Sequence, residues 1–147
     1  MRNLLIISTV AFILSGCAPT LSSMQRRNIE ARDLKGSFED AFKATLQVFQ
    51  DHGYTIKSTD YQSGVIHGET GIKQTLFVGM TNFEITATIE QFGENTVKER
   101  ISLIRKKKSS SQYGTFENSE IIDDPKRFQK LYDDIQKEMF IRANLNR

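Results

Sequence analysis

Between Phe83 and Glu90 the chain alternates strictly, with Phe83, Ile85, Ala87 and Ile89 set against Glu84, Thr86, Thr88 and Glu90. A period of two sends the two sets to opposite sides of a strand, which predicts one dry and one solvated face. Phe92, Gly93, Glu94 and Asn95 read as a hairpin turn, with Val97, Ile101 and Leu103 leading the returning strand. The same period appears at Tyr54, Ile56 and Ser58. After a turn over residues 60–64, Val65 and Ile66 begin another short strand. Residues 113–122 add a further strand, and residues 24–32 are expected to form a first one.

Two stretches follow the helical period instead. Phe38, Ala41, Phe42, Thr45, Leu46 and Phe49 recur three and four apart, and Phe128, Leu131, Tyr132, Ile135 and Met139 do the same. Ser37 is placed to cap the first helix, with Asp40 three residues on, close to a capping box. Glu39 and Asp40 complement the dipole of its first turn, and Gly53 suits the residue just past its end. Asp124 followed by Pro125 opens the second helix as cap and first helical residue. The order is β-α-β-β-β-β-α. It predicts an α+β domain, an antiparallel sheet of about four to six strands with two helices packed on one face. The expected core includes Phe42, Leu46, Ile85, Ile89, Leu131 and Ile135.

The N-terminus follows neither period. Arg2 precedes an almost wholly apolar run over residues 4–14, which is 11 residues long. A permanent bilayer-spanning helix needs roughly 20. A basic tip, a short apolar run and then small residues make a secretory signal peptide. The run ends in Leu14-Ser15-Gly16-Cys17. This resembles the lipobox of bacterial lipoproteins, in which the cysteine thiol receives a diacylglycerol and cleavage falls before it. Thiol chemistry suits that transfer, and two or more acyl chains hold a protein lastingly where one does not. The resemblance implies a signal peptide at 1–16, a lipidated N-terminus and tether at 17–23, and a single domain over 24–147. Ala18, where enteric inner-membrane lipoproteins tend to carry Asp, implies the outer membrane, with the domain facing the periplasm.

Composition narrows the remaining chemistry. The 147 residues suffice for one domain, and the formal charge of +2 includes Arg2 of the signal segment. So small a charge exerts no general pull on nucleic acid or a membrane surface. One cysteine excludes an internal disulfide, and two histidines are too few for a zinc site of the usual kind. No metal ligand set and no cofactor motif is expected: Gly64, Gly68 and Gly71 lack the following helix and GKS/T of a phosphate loop, and no carboxylate spacing matches a calcium loop. His52 reads as a helix-end residue beside Asp51, and His67 as a residue on a pleated surface. Asp124 is accounted for by capping, and Asp133 and Asp134 by the solvent face of the last helix. Arg105, Lys106, Lys107 and Lys108 open a charged run, RKKKSSS, that reads as a flexible hairpin tip and a contact for a partner.

Phe38 to Glu69 reads FEDAFKATLQVFQDHGYTIKSTDYQSGVIHGE. Its Leu46-Gln47, Asp51, Gly53-Tyr54, Ile56, Asp60 and Gly64-Val65-Ile66-His67-Gly68 resemble a pattern in small envelope lipoproteins with helices on a sheet. Related domains serve as accessory subunits of outer-membrane β-barrel assembly, an analogy at the level of the fold. The expected function is therefore a membrane-anchored, non-catalytic interaction module for envelope proteins. The alternative is a carrier that holds a small apolar ligand between helices and sheet. The first expects a filled core and the second an apolar cavity there. A polar cleft joining His52 or His67 to two carboxylates would speak for chemistry instead.

Overall fold

The computed structural model describes residues 22–75, 79–111 and 114–145. The signal segment, Cys17 and the start of the tether lie outside the described residues. The elements are α1 (Ser23–Glu30), β1 (Ala31–Lys35), α2 (Phe38–Asp51), β2 (Thr55–Asp60), β3 (Val65–Glu69), β4 (Lys73–Thr75), β5 (Gly79–Gly93), β6 (Thr96–Ser111), β7 (Gly114–Ile121) and α3 (Pro125–Leu145). The fold is α+β. All strands join one antiparallel sheet in the order β1-β6-β5-β3-β2, with β4 continuing beside β5 and β7 beside β6.

The two long helices form where the periodicity places them. Ser37 Oγ accepts the Asp40 N–H at 3.1 Å and lies 2.6 Å from Asp40 Oδ2, closing the start of α2. Gly53 ends it with φ +82, its N–H reaching Gln50 O at 2.9 Å while the Tyr54 N–H reaches Phe49 O at 2.9 Å. Asp124 caps α3, accepting the Lys126 N–H at 3.0 Å. Both helices lie on the face of the sheet that carries Ile85, Ala87, Ile89, Val97, Ile101 and Leu103. Phe42, Phe49, Phe128, Leu131, Tyr132, Ile135 and Met139 fill the layer between. Leu46, expected in this core, is only half-buried at its margin. We expect Phe42→Ala to cost about 3–5 kcal/mol in urea unfolding, as deletion of a buried aromatic does. Glu84→Ala, which removes a carboxylate paired with Lys106 at 2.5 Å on the opposite face, should cost under about 1 kcal/mol. Equal losses would place the helices on the wrong side of β5.

Three expectations fail. Residues 24–32 do not form a strand. Ser22 and Gln25 make a full capping box, and residues 23–30 wind as α1. That stretch has no alternating apolar set to hold a strand against the sheet, and the box offers its backbone a local solution. The strand starts only at Ala31, with Leu34 its single buried side chain. The sheet has seven strands rather than four to six, because the short β4 pairs with Gly79, Met80 and Thr81. Arg105, Lys106, Lys107 and Lys108 are not a flexible tip. They lie inside β6, paired in register with β5 on one side and β7 on the other.

Candidate functional site

The basic run sits on a charge ladder. Arg105 donates to Glu120 at 2.7 Å and Lys106 meets Glu84 at 2.5 Å, while Lys107 and Lys108 lie 3.7 and 3.4 Å from Glu120 and Glu117. Antiparallel register places these carboxylates directly across from or diagonal to the cations, where cross-strand pairs interact. Hydrogen bonding to Glu84 pushes the Lys106 amine up from its ordinary value. Four cations that look unpartnered in the sequence are thus largely spent within the sheet.

The histidines are separated. His67, on β3, has Nδ1 3.1 Å from the Thr86 hydroxyl on the face away from the helices. His52, at the end of α2, has Nε2 2.8 Å from Asp134 Oδ2 on α3, so Asp134 does not simply face solvent as expected. Lys130 shares that oxygen at 2.8 Å, and its hydrogen bond, with the one from His52, holds the Asp134 carboxyl below its ordinary value. A groove of about 280 Å³ brings His52 together with Asp51, Asp134 and Glu138, the kind of polar cleft that speaks for chemistry. Its other lining residues are Val48, Lys137 and Ile141. It therefore offers an acid–base pair with no hydroxyl or thiol to attack from. Among the described residues no cluster of three or more His, Cys, Asp or Glu is suited to hold a metal ion.

Sequence reasoning passed over Glu99. This residue is in phase with Val97, Ile101 and Leu103, and β6 carries it to full burial under α2. Thr45 Oγ1 stands 2.8 Å from Ala41 O and 2.9 Å from Glu99 Oε1. A hydroxyl has one proton; once it is given to the Ala41 carbonyl, the contact with Glu99 closes only if the carboxyl brings its own. Among the described residues Glu99 Oε2 has no hydrogen-bond partner. Burial pushes the Glu99 carboxyl up to about 8, against a smaller lowering by Thr45. The side chain is thus a neutral acid locked into the core. The phase of β6 was a sufficient signal for it, because a charged residue in an otherwise apolar register must be either buried or at a break.

The face of the sheet opposite the helices has no covering layer among the described residues. Thr86, Thr88, Ser102 and Arg100 lie along its middle. At the β1 side, where α1 flanks the sheet, a groove of about 700 Å³ is lined by Arg27, Asn28, Ala31, Arg32, Asp33, Thr88, Glu90, Lys98 and Arg100. A second groove of about 600 Å³ separates α1 from the start of α3, with Ile29 and Phe128 beside Lys126, Lys130 and Asp133. Both open to the surface. Among the described residues no helix is long and apolar enough to cross a membrane.

No protein-family model matches the chain, and no curated protein matches it. Among solved structures it is similar to a TBP-like protein from Parabacteroides distasonis ATCC 8503. The two share 15% identity and a TM-score of 0.32, over 88% of this chain and 92% of that one.

Proposed function

We propose that this protein is a lipid-anchored envelope module that works by binding rather than catalysis, held in the outer membrane through Cys17 and facing the periplasm. The observation that carries the reading is the signal architecture ending in Leu14-Ser15-Gly16-Cys17. The described domain supports it in two ways. The layer between helices and sheet is filled by large side chains, which favours a docking role over a carrier of apolar ligands. Among the described residues no layer covers the opposite face of the sheet, which leaves that face to meet a partner. A tether also raises the effective concentration of that face for envelope proteins in the same layer, so weak contacts suffice. Since Arg105, Lys106, Lys107 and Lys108 are engaged with carboxylates, the proposed partner surface shifts from that run to the uncovered face as a whole.

Intact mass of the membrane-extracted protein tests the reading. The mature chain should begin at Cys17 and carry added acyl mass, and Cys17→Ala should accumulate as an uncleaved precursor. A soluble, unmodified chain starting at Met1 overturns it.

A further inference from the structure

The groove beside α1 brings two unpaired guanidinium groups together. Many surface cations are engaged, Lys106 with Glu84, Lys57 with Glu69 and Lys43 with Glu39, and others without an ion pair among the described residues, such as Lys73 and Lys137, lie outside this groove. In this groove Arg27 and Arg100 are both exposed, and among the described residues neither guanidinium has an ion-pair or hydrogen-bond partner. Lys98 lines the same groove with its Nζ 5.1 Å from the Phe92 ring centroid, and Arg32 spends its guanidinium on Gln129 and the Tyr132 ring. Asp33 and Glu90 are the groove's acids, each directly across a strand from Lys98, so the two arginines are left in excess. One turn before Arg27, Met24 is 73% exposed. An apolar side chain beside unspent guanidinium groups on one surface is the composition of a bilayer-interface contact.

Chain length makes the same point independently. Ser22, the cap of α1, is five residues from Cys17. Fully extended, that spans at most about 17 Å. With Cys17 acylated, the start of α1 stays within about 17 Å of the bilayer interface, which keeps the flanks of α1 among the parts of the domain nearest to it.

We propose that Met24, Arg27, Lys98 and Arg100 form a docking surface for the anionic headgroups of the membrane that holds the chain, with the two guanidinium groups gripping lipid phosphates. A guanidinium matches phosphate oxygens two at a time, and Arg27 and Arg100 bring two such forks to one groove. The neighbouring Thr88 hydroxyl adds a neutral donor. The consequence is orientation: with α1 down, the sheet stands on its β1 edge and the rest of the uncovered face is presented sideways to envelope partners. The inference rests on the anchored reading above.

The natural absence of any cysteine other than Cys17 allows a clean probe. Asn28→Cys, labelled with a polarity-sensitive dye on the extracted full chain, is placed in nanodiscs rich in phosphatidylglycerol or made only of phosphatidylcholine. A Gln50→Cys label on α2 serves as the distant control. Each basic residue near an anionic surface is worth about fivefold in partitioning, so the two arginines in excess should shift the docked ratio on the order of 25-fold. The expected result is a blue-shifted Asn28 label shielded from an aqueous quencher in the anionic discs, with Gln50 unchanged. Salt at about 0.5 M, which shortens the Debye length to roughly 4 Å, should abolish the shielding. So should Arg27→Glu with Arg100→Glu, whereas the paired lysine substitutions should retain most of it. Equal quenching in both discs overturns the docking surface, as does shielding produced in neutral discs by inorganic phosphate alone. Intact mass of the same sample reports acylation separately. An unacylated chain still shielded by phosphatidylglycerol vesicles removes the anchor and keeps the surface; an acylated chain quenched equally keeps the anchor and removes the surface.

Discussion

Raising the pH from about 4.5 to 8 should weaken the fold by on the order of 4–5 kcal/mol, and Glu99→Gln should remove most of that loss. In the unfolded chain the Glu99 carboxyl titrates at its ordinary value of 4.5; in the core, burial holds it protonated until about 8. Between those values the native state binds more protons than the unfolded one. Stability therefore falls as pH rises, by about 1.4 kcal/mol per unit. The contribution is fully present below 4.5 and gone once the pH has passed through 8. The carboxylates with lowered values do not mask it. Hydrogen bonding to Lys43, Ser63, Lys57 and Lys130 lowers Glu39, Asp60, Glu69 and Asp134, so their contributions change only on the acid side of this window. Glutamine keeps a donor for Thr45 in its amide N–H and never ionises. Urea denaturation at pH 5, 7 and 9, followed by circular dichroism, should show the two proteins close in stability at pH 5 and the variant several kcal/mol ahead at pH 9. Parallel pH profiles would mean that Glu99 is ionised in the fold, with a partner for Oε2 supplied by rearrangement.

Gly64→Ala should be among the most damaging single substitutions, at about 3 kcal/mol or more, whereas Gly53→Ala should cost about 1 kcal/mol. Both glycines have positive φ, +68 and +82. The difference is what a side chain would meet. At Gly53 a Cβ finds nothing within 4 Å, so only the backbone conformation is penalised. At Gly64 it would stand 2.0 Å from the carbonyl oxygen of Ile89, with the Phe38 ring at 3.1 Å. Gly64 O also accepts the Ile89 N–H at 2.9 Å, so the two backbones are held together and cannot part without opening the β3–β5 seam. Thermal unfolding of the two variants side by side separates strain from collision. A similar loss in both would show that the turn before β3 can shift away from β5 at little cost.

Much of this architecture is local and was legible. The alternation from Phe83 to Ile89 predicts β5 because period two is the direct imprint of a half-buried sheet. The stripe from Phe38 to Phe49 and that from Phe128 to Met139 predict α2 and α3, and Ser37, Gly53 and Asp124 mark their ends through chemistry that needs only a few neighbouring residues.

What tertiary structure decided depends on residues far apart in the chain. The run from Arg105 to Lys108 has the composition of a solvated loop, and only the arrival of β5 with Glu84 and of β7 with Glu117 and Glu120 makes it a central strand. Residues 24–32 failed for the converse reason: the Ser22–Gln25 box is a weak local signal, and whether it or the sheet captured that backbone was settled by where β1 could pair with β6. Glu99 was readable as out of place in an apolar register, but its protonation follows from burial under α2, which brings Thr45, 54 positions away, into contact with it. The groove beside α1 is further still from any linear signal. Arg27 and Arg100 come from a helix and a strand 73 residues apart, and the sequence by itself determined only that each is a cation. Their convergence without carboxylate partners is a property of the folded surface, because the register that hands Glu84, Glu117 and Glu120 to the other basic residues of β6 places Thr88 and Ala31 across from Arg100.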